Sequence, residues 1–364
     1  MTDSENPLLN DQPIEDSQPD HHKHTLLDDE FVAETAEQKQ PVIVETPIIP
    51  ISPVMLAADK IRDEMGKVLI GQDDLVTYLL TGLFAGGHIL IEGVPGIAKT
   101  LSAKLLARCL QLDYSRIQFT PDLMPSDVTG SSIFNVKTSE FMFNRGPIFA
   151  NIVLIDEINR APAKTQAALF EVMEEQQVTV DGTTYPLTSP FMVLATQNPI
   201  EQEGTYRLPE AQLDRFLFRI HVDYPSIGQE KQILMRFRDD FTNRMLGTIT
   251  SVLSPEEILE IRLIVEKVHI KDELLEYIAN IVFQTRNDAD LFLGASPRAS
   301  LAIMRASKAL AAISGRDFVT PDDIRMVTDP VLNHRIQLTP EREMEGENTS
   351  GVIKRIVETL EVPR

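Results

Sequence analysis

The stretch Gly86-Gly87-His88-Ile89-Leu90-Ile91-Glu92-Gly93-Val94-Pro95-Gly96-Ile97-Ala98-Lys99-Thr100 decides the fold. Its apolar run from Ile89 to Ile91 is typical of a buried parallel strand. The chain then turns through Gly and Pro and resumes as an apolar-rich helix, expected from Lys99 to about Leu110. Loop N–H groups and a helix N-terminus make a cradle for phosphate groups. We therefore predict a polyphosphate site in which Lys99 reaches the outer phosphates and Thr100 ligates Mg²⁺.

The match to the phosphate-loop pattern G-x-x-x-x-G-K-[ST] is incomplete. Gly93, Lys99 and Thr100 fit the pattern, but Ala98 stands where the second glycine belongs. Taken alone, the stretch is also compatible with a chance glycine-rich turn between a strand and a helix. The rest of the chain has to decide between these two interpretations.

Composition narrows the class of protein. The chain has 364 residues, of which 43% are apolar and 24% charged, enough for two packed domains and a tail. Its net charge of −21 argues against a general affinity for nucleic acid. The lone Cys109 excludes an intrachain disulfide framework and favours a reducing compartment. No apolar run approaches the roughly 18–20 residues that span a bilayer, so we expect a cytoplasmic protein without membrane insertion.

Residues 1–50 have the composition of an acidic, disordered tail. They contain twelve acidic residues against Lys23 and Lys39, a net charge of −10, with scattered prolines and few apolar residues. The histidines at 21, 22 and 24 are expected to be a solvated polar cluster, because no metal-ligand pattern lies near them.

Strand and helix signals divide the remaining chain. Alternating strands and helices predict an α/β nucleotide-binding domain over 51–225, with hairpins at 132–143 and 178–185. Helical patterns alone follow and predict a helical domain over 226–333, with a C-terminal extension and short helix over 334–364. Four hydroxyl residues are predicted N-caps, three of them followed by proline at the first helical position: Ser126, Ser254, Ser296 and Thr320.

Polar residues end two of the predicted strands. Asp156 and Glu157 follow the predicted strand 151–155, which has four apolar residues, and Asn198 follows the predicted strand 191–196. Carboxylates at such a position can hold Mg²⁺ and polarise an attacking water. If the two strands are neighbours, the Asn198 amide lies beside the carboxylates and can orient that water. Two acids in an ordinary turn are the plainer alternative for this stretch alone.

Several stretches together resemble the MoxR family of AAA+ ATPases. The resemblance covers about Leu56 to Ile336 and is carried by Gly93–Thr100, Arg116–Gly130, Gly146–Thr165, Ala195–Pro199 and Gly204–Phe216. It implies a P-loop AAA+ core, with a parallel sheet flanked by helices and inserted β-hairpins, followed by an all-α lid domain. A small residue before the lysine is familiar in that family, so Ala98 counts less against nucleotide binding.

The resemblance also implies roles within the nucleotide site, with ATP and Mg²⁺ as cofactors. Lys99 and Thr100 would be the Walker A lysine and the Mg²⁺-ligating hydroxyl, and Asp156 would be the second metal ligand. Glu157 would polarise water, and Asn198 resembles sensor 1. The nucleotide-binding segments implied are Ile70, Gly71 and Gln72 at the adenine, and Gly93, Val94, Pro95, Gly96, Ile97, Ala98, Lys99, Thr100 and Leu101 at the phosphates.

Two arginines are implied to complete catalysis. Arg298, at a helix start in the lid, resembles sensor 2, which touches the γ-phosphate when the lid closes. Arg215 looks like the arginine finger that one subunit supplies to its neighbour. The plainer alternatives are a structural salt bridge for Arg298 and a surface pair with Asp214 for Arg215; Arg207 is a nearby competitor for the finger.

The favoured hypothesis is an ATPase that works as a homo-oligomeric ring, hexameric by resemblance, and remodels or activates a partner protein. Members of the family are often paired with proteins that carry von Willebrand A domains, so such a partner is expected. One alternative is a scaffold that assembles on nucleotide with little turnover. A second is a DNA motor, which the acidic composition disfavours.

Overall fold

Five parallel strands form the central sheet of the computed structural model, which describes residues 51–94, 96–198, 205–206, 208–238 and 247–363. The tail, its histidines, Pro95 and Arg207 lie outside these described residues. The strands are β1 (His88–Gly93), β2 (Tyr114–Gln118), β3 (Gly130–Asn135), β4 (Glu140–Arg145), β5 (Ile152–Asp156), β6 (Gln177–Val180), β7 (Thr183–Pro186), β8 (Met192–Gln197), β9 (Phe216–Val222), β10 (Leu291–Leu293) and β11 (Gln337–Leu338).

Helices cover both faces of the sheet, and helices also make up most of the chain after β9. They are α1 (Ser52–Gly66), α2 (Asp73–Ala85), α3 (Lys99–Cys109), α4 (Pro125–Thr129), α5 (Ala163–Glu175), α6 (Glu210–Leu213), α7 (Ile227–Phe237), α8 (Pro255–Glu266), α9 (Asp272–Thr285), α10 (Pro297–Ile313), α11 (Pro321–Leu332), α12 (Pro340–Met344) and α13 (Thr349–Thr359). All described residues belong to one compact unit, Ile48–Arg364.

The order of the sheet is β2-β5-β8-β1-β9, with every pair parallel. Continuous apolar runs such as Ile89–Ile91 and Ile152–Ile155 are buried, because helices cover both faces of a parallel sheet. The strands β5 and β8 are neighbours, as the position predicted for Asn198 requires. Since all strands run the same way, the residues that follow them meet at one edge.

Two antiparallel hairpins project from this core, close to the predicted positions. The tight turn between β6 and β7 is Asp181-Gly182, with φ of 49° and 76°, the positive values that a primed hairpin turn requires. The hairpins contact each other: Ser132 Oγ donates to Asp181 Oδ2 at 2.5 Å, and the rings of Phe143 and Tyr185 stack at 4.3 Å.

The lid is helical, with start signals largely as predicted. Ser254 and Thr320 cap α8 and α11 by accepting from the N–H three residues on, whereas Ser296 precedes α10 without such a bond. The strands β10 and β11 form an antiparallel pair, which the helical patterns of this part of the sequence did not predict. Within the C-terminal extension, the charged segment at 340–350 contains α12.

The predicted N-cap at Ser126 is wrong. The helix α4 begins at Pro125, so Ser126 lies inside its first turn and Met124 precedes the helix. The carboxylate of Asp127 accepts from the Met124 N–H at 2.8 Å and performs the capping instead.

No helix within the described ranges combines the length and apolarity needed to cross a bilayer. The thiol of Cys109 is buried in the core beside α1, and burial raises its pKa to about 12. It therefore stays protonated and unreactive at neutral pH.

Candidate nucleotide site

The loop between β1 and α3 has the backbone shape of a phosphate cradle. Gly96 and Ala98 both have positive φ, 86° and 65°, and α3 begins directly afterwards at Lys99. The alanine at the second glycine position of the pattern thus occupies a conformation that glycine adopts freely. For a residue with a Cβ atom this conformation costs about 1–2 kcal/mol.

Lys99 extends from the start of α3 back along the loop. Its Nζ donates to the carbonyl oxygen of Gly93 and, at 3.3 Å, to that of Gln197 at the end of β8. The ammonium group is therefore held at the carboxyl ends of β1 and β8. It lines a pocket of about 380 Å³.

This pocket brings together the residues predicted to act on the phosphates. Its lining includes Lys99, Thr100, Asp156, Glu157 and Asn198. Asn198 is 8% exposed and follows β8, next to β5 in the sheet, so its amide faces the same space as the two carboxylates. Among the other predicted loop residues, Leu101 also lines the pocket, Ile97 is buried in the core and Val94 packs against that core.

Asp156 is the most constrained acid of the pocket. Its Oδ1 accepts from the hydroxyls of Thr100 at 3.2 Å and Thr196 at 3.1 Å, and its Oδ2 accepts from Arg116 Nε at 2.6 Å. A hydroxyl and a carboxylate oxygen this close form the kind of donor set that Mg²⁺ takes while keeping water and phosphate oxygens as its other ligands. Thr100 and Asp156 therefore fit the predicted metal site.

Glu157 follows β5 with a strained backbone, at φ 58°. Its N–H donates to Thr196 Oγ1 at 3.1 Å, which fixes the turn. Gln118 Nε2 donates to its Oε2 at 2.8 Å, and Arg160 Nε lies 3.0 Å from the same oxygen. The carboxylate is thus held at the rim of the pocket by partners on two sides.

The segment predicted to line the adenine borders a second cavity, of about 480 Å³. Gly71 and Gln72 line it together with Val222 from the end of β9 and Asp329 from α11; Ile70 is half-buried just before them. Val222 pairs with Gly93, the first residue of the phosphate loop. The cavity therefore adjoins the cradle on the side of the lid.

Arg215 and Arg298 lie together, but away from the pocket. Arg298 Nη2 donates to Glu174 Oε1 at 2.7 Å, and Arg215 Nη1 contacts Oε2 of the same carboxylate. Burial, followed by the nearby charge of Arg298, lowers the pKa of the Arg215 guanidinium. The Nε of Arg215 has no hydrogen-bond partner among the described residues.

The cluster sits where β1 and β9 begin, whereas the phosphate pocket sits where the strands end. Its cavity is lined by Gly87, His88 and Leu217 as well as the two arginines. The six residues of β1 separate the two places by five steps of about 3.3 Å, or about 17 Å. The structure thus does not bring Arg298 to the phosphate pocket of its own chain, where we expected it to close the site from the lid.

The reason lies in how α10 is anchored. Ser296 Oγ donates to Asp214 Oδ2 at 3.5 Å, and the buried Arg335 donates to Asp214 Oδ1 at 2.6 Å and to the carbonyl oxygen of Phe216 at 2.6 Å. The Ser296 bond ties the start of α10 to the segment that enters β9, at the amino-terminal edge of the sheet, and the Arg335 bonds tie the segment after α11 to the same place. A helix-start signal shows where α10 begins along the chain but not where the helix packs in space. That packing decides where Arg298 lies.

Comparisons with known proteins agree with this architecture. The profile of the "ATPase family associated with various cellular activities (AAA)" matches residues 88–218, and that of the "AAA lid domain" matches residues 283–356. The chain is 44% identical over 310 residues to the Chaperone MoxR1 of Mycobacterium tuberculosis, covering 83% of this chain and 81% of that protein. It is 30% identical over 334 residues to the Protein MoxR of Methylorubrum extorquens, covering 84% and 95%.

The chain belongs to the MoxR family of AAA+ ATPases. A crystal structure of an inferred ATPase from Cytophaga hutchinsonii superposes with a TM-score of 0.78 at 44% identity, covering 86% of this chain and 98% of that one. The predicted family and fold are thereby confirmed. Nucleotide binding, generally with Mg²⁺, follows from membership of the AAA+ class.

Several residues of this MoxR-family site were not predicted from the sequence. Arg116 and Gln118 on β2 contact the two carboxylates, Thr196 fixes both backbone and side chain beside them, and Glu174 contacts both arginines. The signal on β2 was its alternation of polar residues, Arg116 and Gln118, at the end of a strand. Such alternation also describes an ordinary edge strand, which β2 is.

Proposed function

We propose that the chain hydrolyses ATP as a homo-oligomeric ring in which each subunit supplies Arg215 and Arg298 to the nucleotide of its neighbour, and uses that hydrolysis to remodel a partner protein. The supporting observation is the separation of the two halves of the site. Lysine, metal ligands and water-positioning groups lie at the carboxyl ends of the strands, and the arginines lie at the amino end of β1.

The residues of the phosphate pocket have distinct tasks in this mechanism. Lys99 binds the outer phosphates, Glu157 accepts the proton of the attacking water and Asn198 orients that water. Thr100 and Asp156 would hold Mg²⁺, which would supply positive charge against the phosphate oxygens. A loose phosphoryl-transfer transition state needs positioning and positive charge rather than covalent help.

The arginines supply the remaining positive charge from the next subunit. A trans-acting arginine contributes about 10³–10⁵ in rate in other nucleoside triphosphatases, so an isolated subunit should be almost inactive. Arg215 suits this role because its side chain is 27% exposed and lines the same cavity as Arg298, at the amino-terminal edge of the sheet. Arg298 shares the same carboxylate, which supports a common destination.

The exposed β3–β4 hairpin supports an action on other proteins. Val136 and Phe141 are 82% and 74% exposed, and Ile133, Phe134 and Met142 are exposed on the same hairpin. Exposed apolar clusters of this kind commonly mark protein-binding surfaces. By resemblance we propose a hexamer, a client or co-chaperone that includes a von Willebrand A domain, and a cytoplasmic location. The domain boundaries at 225/226 and 333/334 are part of this proposal.

Mixing two inactive variants tests the proposal. Glu157→Gln disables a subunit's own pocket but leaves its arginines, whereas Arg215→Ala removes the finger but leaves the pocket. In randomly mixed rings about a quarter of the pockets combine an intact pocket with an intact neighbouring arginine, so the mixture should regain up to about a quarter of the wild-type rate. Mixing Arg215→Ala with the double variant is the matched control and should stay inactive. An equally inactive first mixture would overturn the trans mechanism.

A further inference from the structure

Glu174 is the carboxylate that joins the two arginines. It is the next-to-last residue of α5, directly before the turn into the β6–β7 hairpin. Its Oε1 accepts from Arg298 Nη2 at 2.7 Å, and its Oε2 contacts Arg215 Nη1. One side chain therefore connects three elements: α5, the segment entering β9, and the start of α10.

Without that carboxylate the two guanidinium groups would repel each other. The other acid in the cluster, Asp214, is occupied by Arg335 at 2.6 Å and lies 3.9 Å from Arg298. Arg335 is itself buried and adds a third positive charge. Within the described residues, Glu174 is the carboxylate with a contact to both Arg215 and Arg298.

We infer that Glu174 is a positioning residue for catalysis in the neighbouring subunit: it holds Arg215 and Arg298 as a pair directed at the neighbour's γ-phosphate. The inference rests on the proposed function, since the arginines matter for hydrolysis only if they act in trans. The geometry of the two arginines is then set before assembly, by a side chain that touches neither nucleotide nor metal. Displacement of a catalytic group by about 1 Å can cost about 10² in rate.

A merely structural role for this contact would leave a different signature. The Glu174 side chain is 36% exposed, with Arg298 at 56% and Arg215 at 27%, and ion pairs that reach solvent in this way contribute little to the stability of a fold. Loss of the carboxylate should therefore leave folding and nucleotide binding intact. The substitution changes the arrangement of the arginines, and this arrangement affects kcat.

The first experiment separates kcat from KM in Glu174→Gln. We expect kcat to fall about tenfold or more, while KM for ATP and the affinity for a non-hydrolysable ATP analogue change less than about threefold. Glu174→Asp restores the charge with a shorter reach and should recover part of the loss. Glu175→Gln, the next residue of the same helix, is the matched control and should retain the wild-type kcat. An unchanged or increased kcat in Glu174→Gln would overturn the inference.

The second experiment shows where Glu174 acts. Glu174→Gln subunits keep an intact pocket, so mixing them with Glu157→Gln subunits should raise the rate above the sum of the two separate rates. If this mixture shows no gain while Arg215→Ala with Glu157→Gln does, Glu174 does not act through the arginines and the inference fails alone. If neither mixture gains activity, the ring mechanism fails and the inference fails with it.

Discussion

Gln118 donates a hydrogen bond of 2.8 Å to Oε2 of Glu157, so the carboxylate expected to polarise water is held by an amide from the neighbouring strand. The contact joins the last residue of β2 to the residue that follows β5. With Arg160 on the same oxygen, it fixes the side chain of a residue whose backbone is already strained. Glu157 is thus restrained at both its backbone and its carboxylate.

Glu157→Gln should abolish turnover and preserve nucleotide binding. The amide keeps the size of the side chain but cannot accept the proton of the attacking water, which typically costs about 10²–10⁴ in rate. The steady-state rate of ATP hydrolysis and the affinity for ATP, measured on the same preparation, check the loss of turnover and the retained binding. Glu171→Gln, an exposed residue of α5, serves as the control. Near-normal hydrolysis by Glu157→Gln would remove Glu157 from the mechanism.

The rate per subunit should depend steeply on protein concentration. Diluted subunits lack the neighbour's arginines, whose contribution of about 10³–10⁵ is lost with them. A dilution series with parallel sedimentation measurements checks whether rate and assembly fall together. Arg215→Ala should give a low rate at every concentration. A wild-type rate per subunit that stays constant through dissociation would contradict this expectation.

Replacing Ala98 by glycine should stabilise the protein. Glycine adopts the left-handed backbone conformation at this position without strain. Because glycine also gives the unfolded chain more freedom, part of the gain is offset, and we expect the free energy of unfolding to rise by about 0.5–1 kcal/mol. The free energy of unfolding in urea measures the change. Ala167→Gly, at an exposed position inside α5, should destabilise by about 1 kcal/mol and provides a control of opposite sign. Equal losses from both substitutions would show that Ala98 is unstrained.

Acidification should destabilise the fold through His88. Burial, together with the charges of Arg262 and Arg305, lowers its pKa to about 4 although the Met173 carbonyl opposes the shift. Its neutral form is required, because Nδ1 accepts from the Val193 N–H at 3.0 Å while Nε2 lies 3.2 Å from that carbonyl. The unfolded chain, with a pKa near about 6.5, binds a proton first, so stability present above pH 6.5 is lost as the pH falls toward 4.

Urea unfolding at pH 7.5 and 5.5 measures the effect of His88. The destabilisation caused by His88→Gln should shrink by about 1 kcal/mol between these pH values, because the variant has no imidazole to protonate. A destabilisation by His88→Gln that does not change with pH would show that His88 titrates normally.

Local sequence predicted the fold well because the sheet strands are continuous apolar runs with clear breaks. The phosphate loop and both hairpins were equally visible, since glycine, proline and the Asp-Gly turn act within a few residues. The capping of α4 was missed because a hydroxyl and a carboxylate compete there, and Asp127 rather than Ser126 reaches the free N–H.

The candidate site was predictable only where its residues share an element or an edge. Lys99, Asp156 and Asn198 follow parallel strands, and parallel strands bring such residues together whatever lies between them. Arg298 comes from a helix whose start is bonded to Asp214 and Glu174, both distant in sequence. Glu174 gave no signal at all, because a charged residue near a helix end is usually solvent-exposed.

The opposed placement of pocket and arginines gives the proposed assembly a polarity. Chains joined head to tail in an open row would always leave a terminal pocket without arginines, so only closure into a ring makes every pocket equivalent. A subunit with substituted arginines would inactivate the neighbouring pocket that depends on them, while its own pocket would stay active. Information about a bound nucleotide would then pass from subunit to subunit in a single sense of rotation.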